Sequence, residues 1–338
     1  MSERPSMKDK SRLVEIVGRF KDKKLLIVGD AIADRFLFGS INRVSREAPV
    51  FILRHEQTET VPGGAANCAV NLASLGADVT LVAVVGNDEA GEELLKKLEL
   101  AKVNLDGIVR SDKVQTTTKV RILAGQTHSN RQQVIRIDYE GGPLADTELH
   151  QEIAQRITHR LDAVNAVVIS DYNYGVVSDD SIDQLRQFQQ NTRRPVLVDS
   201  RFQLGKFAGF TAATPNEDEV EQHTGKNISS AEELESIGTE LKQSLEFEAL
   251  LVTRGAQGMM LWESANNPVQ IAAVGALQAV DVTGAGDTVI ATFALSLASE
   301  ATYSEAAQLA NHAGGLVVMK RGTASITAKE LEQSILNG

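Results

Sequence analysis

The chain has 338 residues, 42% hydrophobic and 23% charged, with a formal net charge of -11. That acidic balance argues against a nucleic-acid partner, because phosphate-backbone binding needs a basic footprint. The single cysteine, Cys68, excludes an intrachain disulfide and suits a reducing compartment. Residues 1–24 mix both charge signs, and no apolar run is long enough to span a bilayer, so a cytoplasmic chain with no membrane partner is expected.

The first strand is read over Leu25–Asp30, where the apolar run is nearly continuous, as in a parallel strand covered on both faces. Residues 36–60 then alternate polar and apolar without a helix, the pattern of half-solvated antiparallel strands. A strand over Val79–Gly86 and a helix over Ala90–Leu100 follow, then a second alternating stretch over 113–138. Beyond it come a strand over Ala166–Asp171, a helix over Asp179–Gln190, a strand over Pro195–Ser200 and a helix over Ala231–Leu245. A strand over Ala249–Gly255 and a helix over Ser304–Lys320 complete the series. The alternation predicts an open α/β sandwich with a mostly parallel sheet. The two alternating stretches can pair into one small sheet over the carboxyl end of the main one. One domain over residues 1–338, with lid strands from about 36–60 and 113–138, is the expected organisation. Ligands of such sheets bind at the carboxyl strand ends, where Gly29, Asp30, Gly86, Asp171, Asp199, Arg254, Gly255 and Asp281 collect.

Four stretches there bear chemistry. In "DVTGAGD", Gly284 and Gly286 allow a sharp turn, and the helix that follows aims free N–H groups back into it, making an anion hole with Ala285. No lysine follows, which excludes a Walker A loop. Asp287 at the positive helix end should favour its ionised form and can take a proton from an attacking hydroxyl, or can simply cap the helix. In "VPGGAAN", Gly63 and Gly64 permit close backbone approach, and Asn67 can cap a helix or bind sugar hydroxyls. In "VGDAIADRF", Asp34 can present a carboxylate to a polyol, and the glycine spacing of a dinucleotide fingerprint is absent. In "TPNEDEV", Asn216 and Glu219 stand one helical turn apart, facing one Mg²⁺-bound water or phosphate, or merely opening a helix. The six histidines show no zinc-ligand spacing.

The order "GGAAN", "TPNEDE", "LVTRGAQG", "DVTGAGD" resembles the ribokinase-like (PfkB) carbohydrate kinases across almost the whole chain. The resemblance implies a ribokinase-like three-layer sandwich with a mostly parallel central sheet and a small β lid. It makes Asp287 the catalytic base, with Gly284, Ala285 and Gly286 as the anion hole. Asn216 and Glu219 would organise Mg²⁺ and the triphosphate of ATP, Thr253 and Gly255 the nucleotide turn, and Asn311 the adenine pocket. Asp34, Gly63, Gly64 and Asn67 match sugar-binding positions, and Asp281, Thr283, Gly322 and Ser325 a monovalent cation site for K⁺. Thr292 departs from the family's usual Ala or Gly.

Within that family, "VGDAIADRFLFGSINRVSREAPVFIL", "PGGAANCAVNLASLGA" and "TKVRILAGQTHSNRQQVIRIDYE" look like the kinases of D-glycero-D-manno-heptose 7-phosphate. A sugar phosphate needs cations near its far end, and Arg43, Arg46, Lys119, Arg121 and Arg136 supply them, although each alone also reads as a solvated lid residue. Two segments depart: Asn173 and Tyr174 stand where those kinases commonly carry a lysine, and Asp199-Ser200-Arg201 replaces Asp-Pro-Lys. A kinase of an unphosphorylated sugar or nucleoside, and a non-catalytic nucleotide-binding homologue, are the competing readings. An exposed lid edge further suggests a homodimer formed through the lid.

Overall fold

Strand β1 (Lys24–Gly29) lies inside the largest sheet of the computed structural model, which describes residues 7–125, 131–263, 267–275 and 279–337. Around it the chain runs through helix α1 (Met7–Gly18), strands β2 (Ala31–Val44) and β3 (Phe51–Gly64), helix α2 (Ala65–Ser74) and strands β4 (Asp78–Val82) and β5 (Val84–Gly86). Helix α3 (Glu89–Leu100), strands β6 (Val109–Ser111), β7 (Thr118–Gly125) and β8 (Gln132–Tyr139), and helix α4 (Thr147–Leu161) follow. Next come β9 (Ala166–Asp171), α5 (Asp179–Thr192), β10 (Val196–Ser200), β11 (Ala212–Ala213), α6 (Glu217–Thr224) and α7 (Ala231–Ser244). The last third holds β12 (Ala249–Thr253), β13 (Met259–Trp262), β14 (Val269–Ile271), α8 (Ala285–Ala298), α9 (Tyr303–Val317) and α10 (Ala328–Asn337).

Strands β12, β11, β10, β9, β1 and β4 pair in that order and run parallel, and β13 and β14 extend the sheet antiparallel beyond β12. Side chains alternate between two cores. Leu25 and Ile27 of β1, Val168 of β9 and Leu251 of β12 join the core under α1, α2, α3, α8, α9 and α10. Their neighbours Leu26, Val28, Val167, Ile169, Leu250 and Val252 join the core under α4, α5, α6 and α7. Burial on both faces is why these strands read as unbroken apolar runs. No helix among the described residues is long and apolar enough to cross a membrane.

A second sheet is ordered β3-β2-β7-β8, with β2 antiparallel to β3, β7 antiparallel to β8, and β2 parallel to β7. The two alternating stretches therefore pair with each other. The first hairpin is longer than 36–60, because Ala31 and Ile32 already pair with Gly64 and Gly63. Residues 126–130 lie outside the described residues.

The single strand expected over Val79–Gly86 is two strands. β4 is the edge of the main sheet, and Asn104 covers its outer side, donating to the Val79 carbonyl at 2.8 Å and accepting from Leu81 N–H at 3.2 Å. Past Val82 the chain leaves the sheet, and β5 pairs instead with β6. Apolar continuity cannot report such a bend, since both halves remain largely buried.

Ile27 is fully buried in β1. Ile27→Ala is expected to lower the unfolding free energy by about 2–5 kcal/mol, read from urea denaturation.

Candidate active site

Helix α8 opens at Gly284, whose φ of 75° puts it in the left-handed region. A Cβ at Gly284 would fall 2.5 Å from Asn67 Nδ2, so only glycine lets α2 approach this closely. Gly284, Ala285 and Gly286 line a cavity of about 530 Å³ that also touches Asp171, Asp199 and Thr253 at the strand ends. Asp287 faces the same cavity and is only 4% exposed. Its Oδ2 accepts from Asn67 Nδ2 at 2.7 Å and its Oδ1 from the Tyr172 hydroxyl at 3.0 Å. The helix end alone would keep this carboxyl ionised. Burial outweighs it: desolvation pushes Asp287 up to about 7, against the two hydrogen bonds, with the charge of Asp34 adding to the rise.

Asn67, expected to meet sugar hydroxyls, is 2% exposed and does not line the cavity, though its amide reaches Asp287 and the Gly284 carbonyl, which do. Its amide is bound within the protein. Besides donating to Asp287, it accepts at Oδ1 from Asn71 Nδ2 at 3.1 Å, and Asn71 Oδ1 accepts from the Thr288 hydroxyl at 3.0 Å. Asn71 follows Asn67 by four residues, so both lie on the face of α2 that meets α8.

The small sheet supplies the opposite wall. Asp34 pairs with Lys119 across β2 and β7, Lys119 with Asp138 across β7 and β8, and Arg121 with Arg136. Directly opposed residues share a face, so Asp34, Lys119, Arg121 and Arg136 all reach the cavity. The like charges of Arg121 and Arg136 are offset by ion pairs, Arg121 with Asp34 and Arg136 with Asp138 at 2.9 Å. Gly63 does not line the cavity; it makes room for Asp34, because a Cβ there would lie 2.5 Å from Asp34 Oδ2. Gly64, at φ 56°, does line it. Burial raises the Asp34 carboxyl, and Arg121 opposes that rise.

Lys119 is 7% exposed and lies over the Tyr172 and Tyr174 rings, 5.8 and 5.5 Å from their centroids. Burial lowers its pKa, and the charge of Arg201 lowers it further. Arg201 stacks on Phe202 at 5.5 Å. Among the described residues neither Lys119 nor Arg201 forms an ion pair with a carboxylate. The Arg43 side chain lies outside the described residues, and Arg46 does not line the cavity.

On the third side Asn216 caps α6. Its Oδ1 accepts from Glu219 N–H at 2.8 Å, while Glu219 Oε2 accepts from Asn216 N–H at 2.9 Å. Both residues line the cavity near Asp199 and Thr214. Burial and the repulsion of Glu219, Asp287 and Asp171 hold the Asp199 carboxyl well above its ordinary range. Burial likewise raises Glu219. Thr214 Oγ1 is buried with no hydrogen-bond partner among the described residues. No three Asp, Glu, His or Cys residues there close around a metal-sized gap.

A second cleft of about 210 Å³ adjoins the first, sharing Thr253, Val282, Ala285 and Gly286. Gly255, Met259, Val274, Val289 and Asn311 line it, and Asn311 Nδ2 donates to the Ala272 carbonyl at 2.7 Å. A flat apolar ring fits such walls, with an attached anion reaching the α8 N–H groups. Beside it, Asp281 accepts from Thr283 N–H at 3.0 Å and Gly322 N–H at 2.9 Å, while the Ser325 carbonyl accepts from the Lys320 ammonium at 2.8 Å. Burial pushes the Asp281 carboxyl up, but these N–H bonds prevail and hold it low.

Sequence reasoning missed Tyr172 and Asn71. A polar residue four positions from Asn67 in an otherwise apolar helix was the signal for Asn71; nothing local marks Tyr172.

Comparison with known proteins places these observations. The chain matches the pfkB family carbohydrate kinase profile over residues 22–330. It is 38% identical over 317 residues to the bifunctional protein HldE of Hahella chejuensis, covering 94% of this chain and 64% of that protein. The chain thus spans just under two thirds of the curated relatives it matches. Arabidopsis thaliana ribokinase, solved with ribose and ATP, superposes with a TM-score of 0.70 at 21% identity over 93% of this chain and 98% of that one. Escherichia coli phosphofructokinase-2, solved with potassium, gives 0.73 at 18% identity over 93% and 98%. The three-layer sandwich with its small sheet is the fold of both.

Gly284→Ala is expected to cost about 1–3 kcal/mol, from the left-handed φ and the Asn67 contact. Gly286→Ala, with nothing within 4 Å of its Cβ, should hold or gain up to about 1 kcal/mol. Paired urea titrations check the contrast.

Proposed function

This chain belongs to the pfkB carbohydrate kinase family, and we propose that it transfers the γ-phosphoryl group of ATP to a sugar phosphate. The substrate we infer is D-glycero-D-manno-heptose 7-phosphate, giving the 1,7-bisphosphate. The observation that carries this reading is the Lys119–Arg201 wall. A buried ammonium with no carboxylate within ion-pair distance, its burial only partly offset by the charges of Glu140, Asp138 and Asp34, is costly, and an arriving phosphate lowers that cost. The resemblance of the "VGDAIADRF" and "TKVRIL" stretches to heptose 7-phosphate kinases agrees with it.

In this mechanism Asp34, pinned by Arg121, orients the sugar hydroxyls. The N–H groups at Gly284–Gly286 hold the transferring phosphoryl oxygens. Asp287 accepts the proton of the attacking hydroxyl, and Asn67 keeps the carboxylate aimed. The apolar cleft beside Asn311 takes the adenine. Positioning and charge supply the rate, as in phosphoryl transfer generally. Mg²⁺ fits the hard oxygen set of Asn216, Glu219, Asp199 and the unpartnered Thr214 hydroxyl, and when bound it offsets triphosphate charge. The candidate potassium site at Asp281, Thr283, Gly322 and Ser325 is internally bonded, with the Thr283 and Gly322 N–H groups on the Asp281 carboxylate and the Lys320 ammonium on the Ser325 carbonyl. No step is routed through it.

The small sheet acts as a lid, and its outer strands carry the homodimer contact: Val134, Ile135, Ile137 and Tyr139 of β8 and Phe51 of β3 are exposed.

Asp287→Ala should still bind ATP while losing about 10²–10⁴-fold in kcat. In the parent, kcat/KM should fall as pH drops through about 7, since the base must shed its proton to act. Unchanged turnover or a flat profile removes Asp287 as the base. Turnover of heptose 7-phosphate should exceed that of the same heptose, ribose, fructose and adenosine, and Lys119→Ala should raise only the phosphorylated sugar's KM, about tenfold or more. A preference for a neutral sugar sinks the substrate assignment.

A further inference from the structure

Tyr172 lies outside the glycine turns and strand-end carboxylates that define the site, yet its phenol is the second donor to Asp287. We propose that Tyr172 is a positioning residue for phosphoryl transfer: with Asn67 it clamps both oxygens of Asp287 and leaves the carboxylate's remaining lone pairs facing the acceptor hydroxyl. The proposal rests on Asp287 being the base.

The clamp comes from two unconnected elements. Asn67 reaches Oδ2 from α2, and Tyr172 reaches Oδ1 from the loop after β9. A carboxylate held at one oxygen can still swing about its Cβ–Cγ bond; held at both, it cannot. The loop itself is fixed. The buried carboxylate of Asp30, at the end of β1, accepts the peptide N–H groups of Tyr172 at 2.8 Å, Tyr174 at 3.1 Å and Val176 at 3.2 Å. Opposite the ring, Gly64 has no side chain, and a Cβ there would lie 3.2 Å from Tyr172 Cε2 and 2.6 Å from the Asp30 carbonyl oxygen. The Lys119 ammonium stands over the ring, 5.8 Å from its centroid.

The phenol keeps its proton. Burial raises its pKa well above the ordinary value, and the facing charges of Asp287, Asp199 and Asp34 raise it further. Around Asp287 the titratable neighbours are Asp34 on β2, Asp199 on β10, Cys68 on α2 and Tyr172. Of these titratable groups, Tyr172 alone donates a hydrogen bond to Asp287. A donor to the ionised form lowers a carboxyl's proton affinity, so removing it must move Asp287 further up.

The test is Tyr172→Phe in the full chain, with two readouts. One is the pH dependence of kcat/KM with ATP and heptose 7-phosphate. The other needs no sugar: infrared difference titration of the Asp287 carboxyl, assigned by its loss in Asp287→Ala. Both transitions should move up by about one pH unit, the worth of one hydrogen bond to a charged group. The kcat at neutral pH should drop about tenfold, with ATP binding and both KM values within about twofold. Site-specific 3-fluorotyrosine at 172 keeps the ring and strengthens the donor, so both transitions should move down.

A carboxyl titration unmoved by either change overturns the proposal, as does loss of ATP binding in Tyr172→Phe with an unmoved titration in the fluorotyrosine chain. Full turnover in Asp287→Ala removes the base reading and this proposal with it. Lost turnover there with an unmoved titration in Tyr172→Phe removes only the role of Tyr172.

Discussion

A carboxylate taken out of water at the start of a helix is the constraint on which this site is built. Asp287 must be given donors, and the nearest come from α2 and from the loop after β9. Bringing Asn67 to it requires α2 and α8 to meet closely, which fixes glycine at 284. The contact continues inward through Asn71 to Thr288, so the two helices are joined by a polar chain inside an otherwise apolar layer. Helix α8 tolerates its buried hydroxyls in the same way: Thr292 donates to the Thr288 carbonyl at 2.8 Å and Ser296 to the Thr292 carbonyl at 2.7 Å. Thr292 therefore leaves no hydroxyl unpaired in this helix.

Electrostatics divide the cavity into an acidic and a basic side. Asp171, Asp199 and Glu219 crowd the strand ends, while Lys119, Arg121, Arg136 and Arg201 face them from the small sheet and the loop after β10. The chain's acidic total conceals this, because charge is set by register and not by composition. Two of the four cations are already neutralised by Asp34 and Asp138. The other two, Lys119 and Arg201, lie against aromatic rings and form no ion pair with a carboxylate among the described residues.

Much of this was legible in the sequence for definite reasons. Strands buried on both faces leave unbroken apolar runs, and Leu25–Asp30 and Ala166–Asp171 are such strands almost to the residue. Gly284 announces itself because no other residue fits a left-handed φ against Asn67. What was not legible depends on distant partners. The bend after Val82 follows from β4 being an edge, which no run of valines reveals. The bonding of the Asn67 amide is decided by Asn71 and Asp287, one of them 220 residues along the chain. Tyr172 acquires its role only through Asp30, which folds the loop beneath it.

The parallel pairing of β2 with β7 has a consequence for how the molecule assembles. A hairpin such as β2–β3 closes locally, whereas pairing Asp34 with Lys119 must close all the chain between them. That interval contains α2, β4 and α3, all of which enter the main core. Closing so long a segment carries an entropic cost that the four-stranded sheet, with β8 exposed along its length, is poorly placed to meet alone. Core formation brings the two strand starts together, where Ala33 N–H donates to the Thr117 carbonyl at 2.9 Å. The topology thus favours an order of assembly in which the helix layer around α8 condenses before the parallel pair of the small sheet closes.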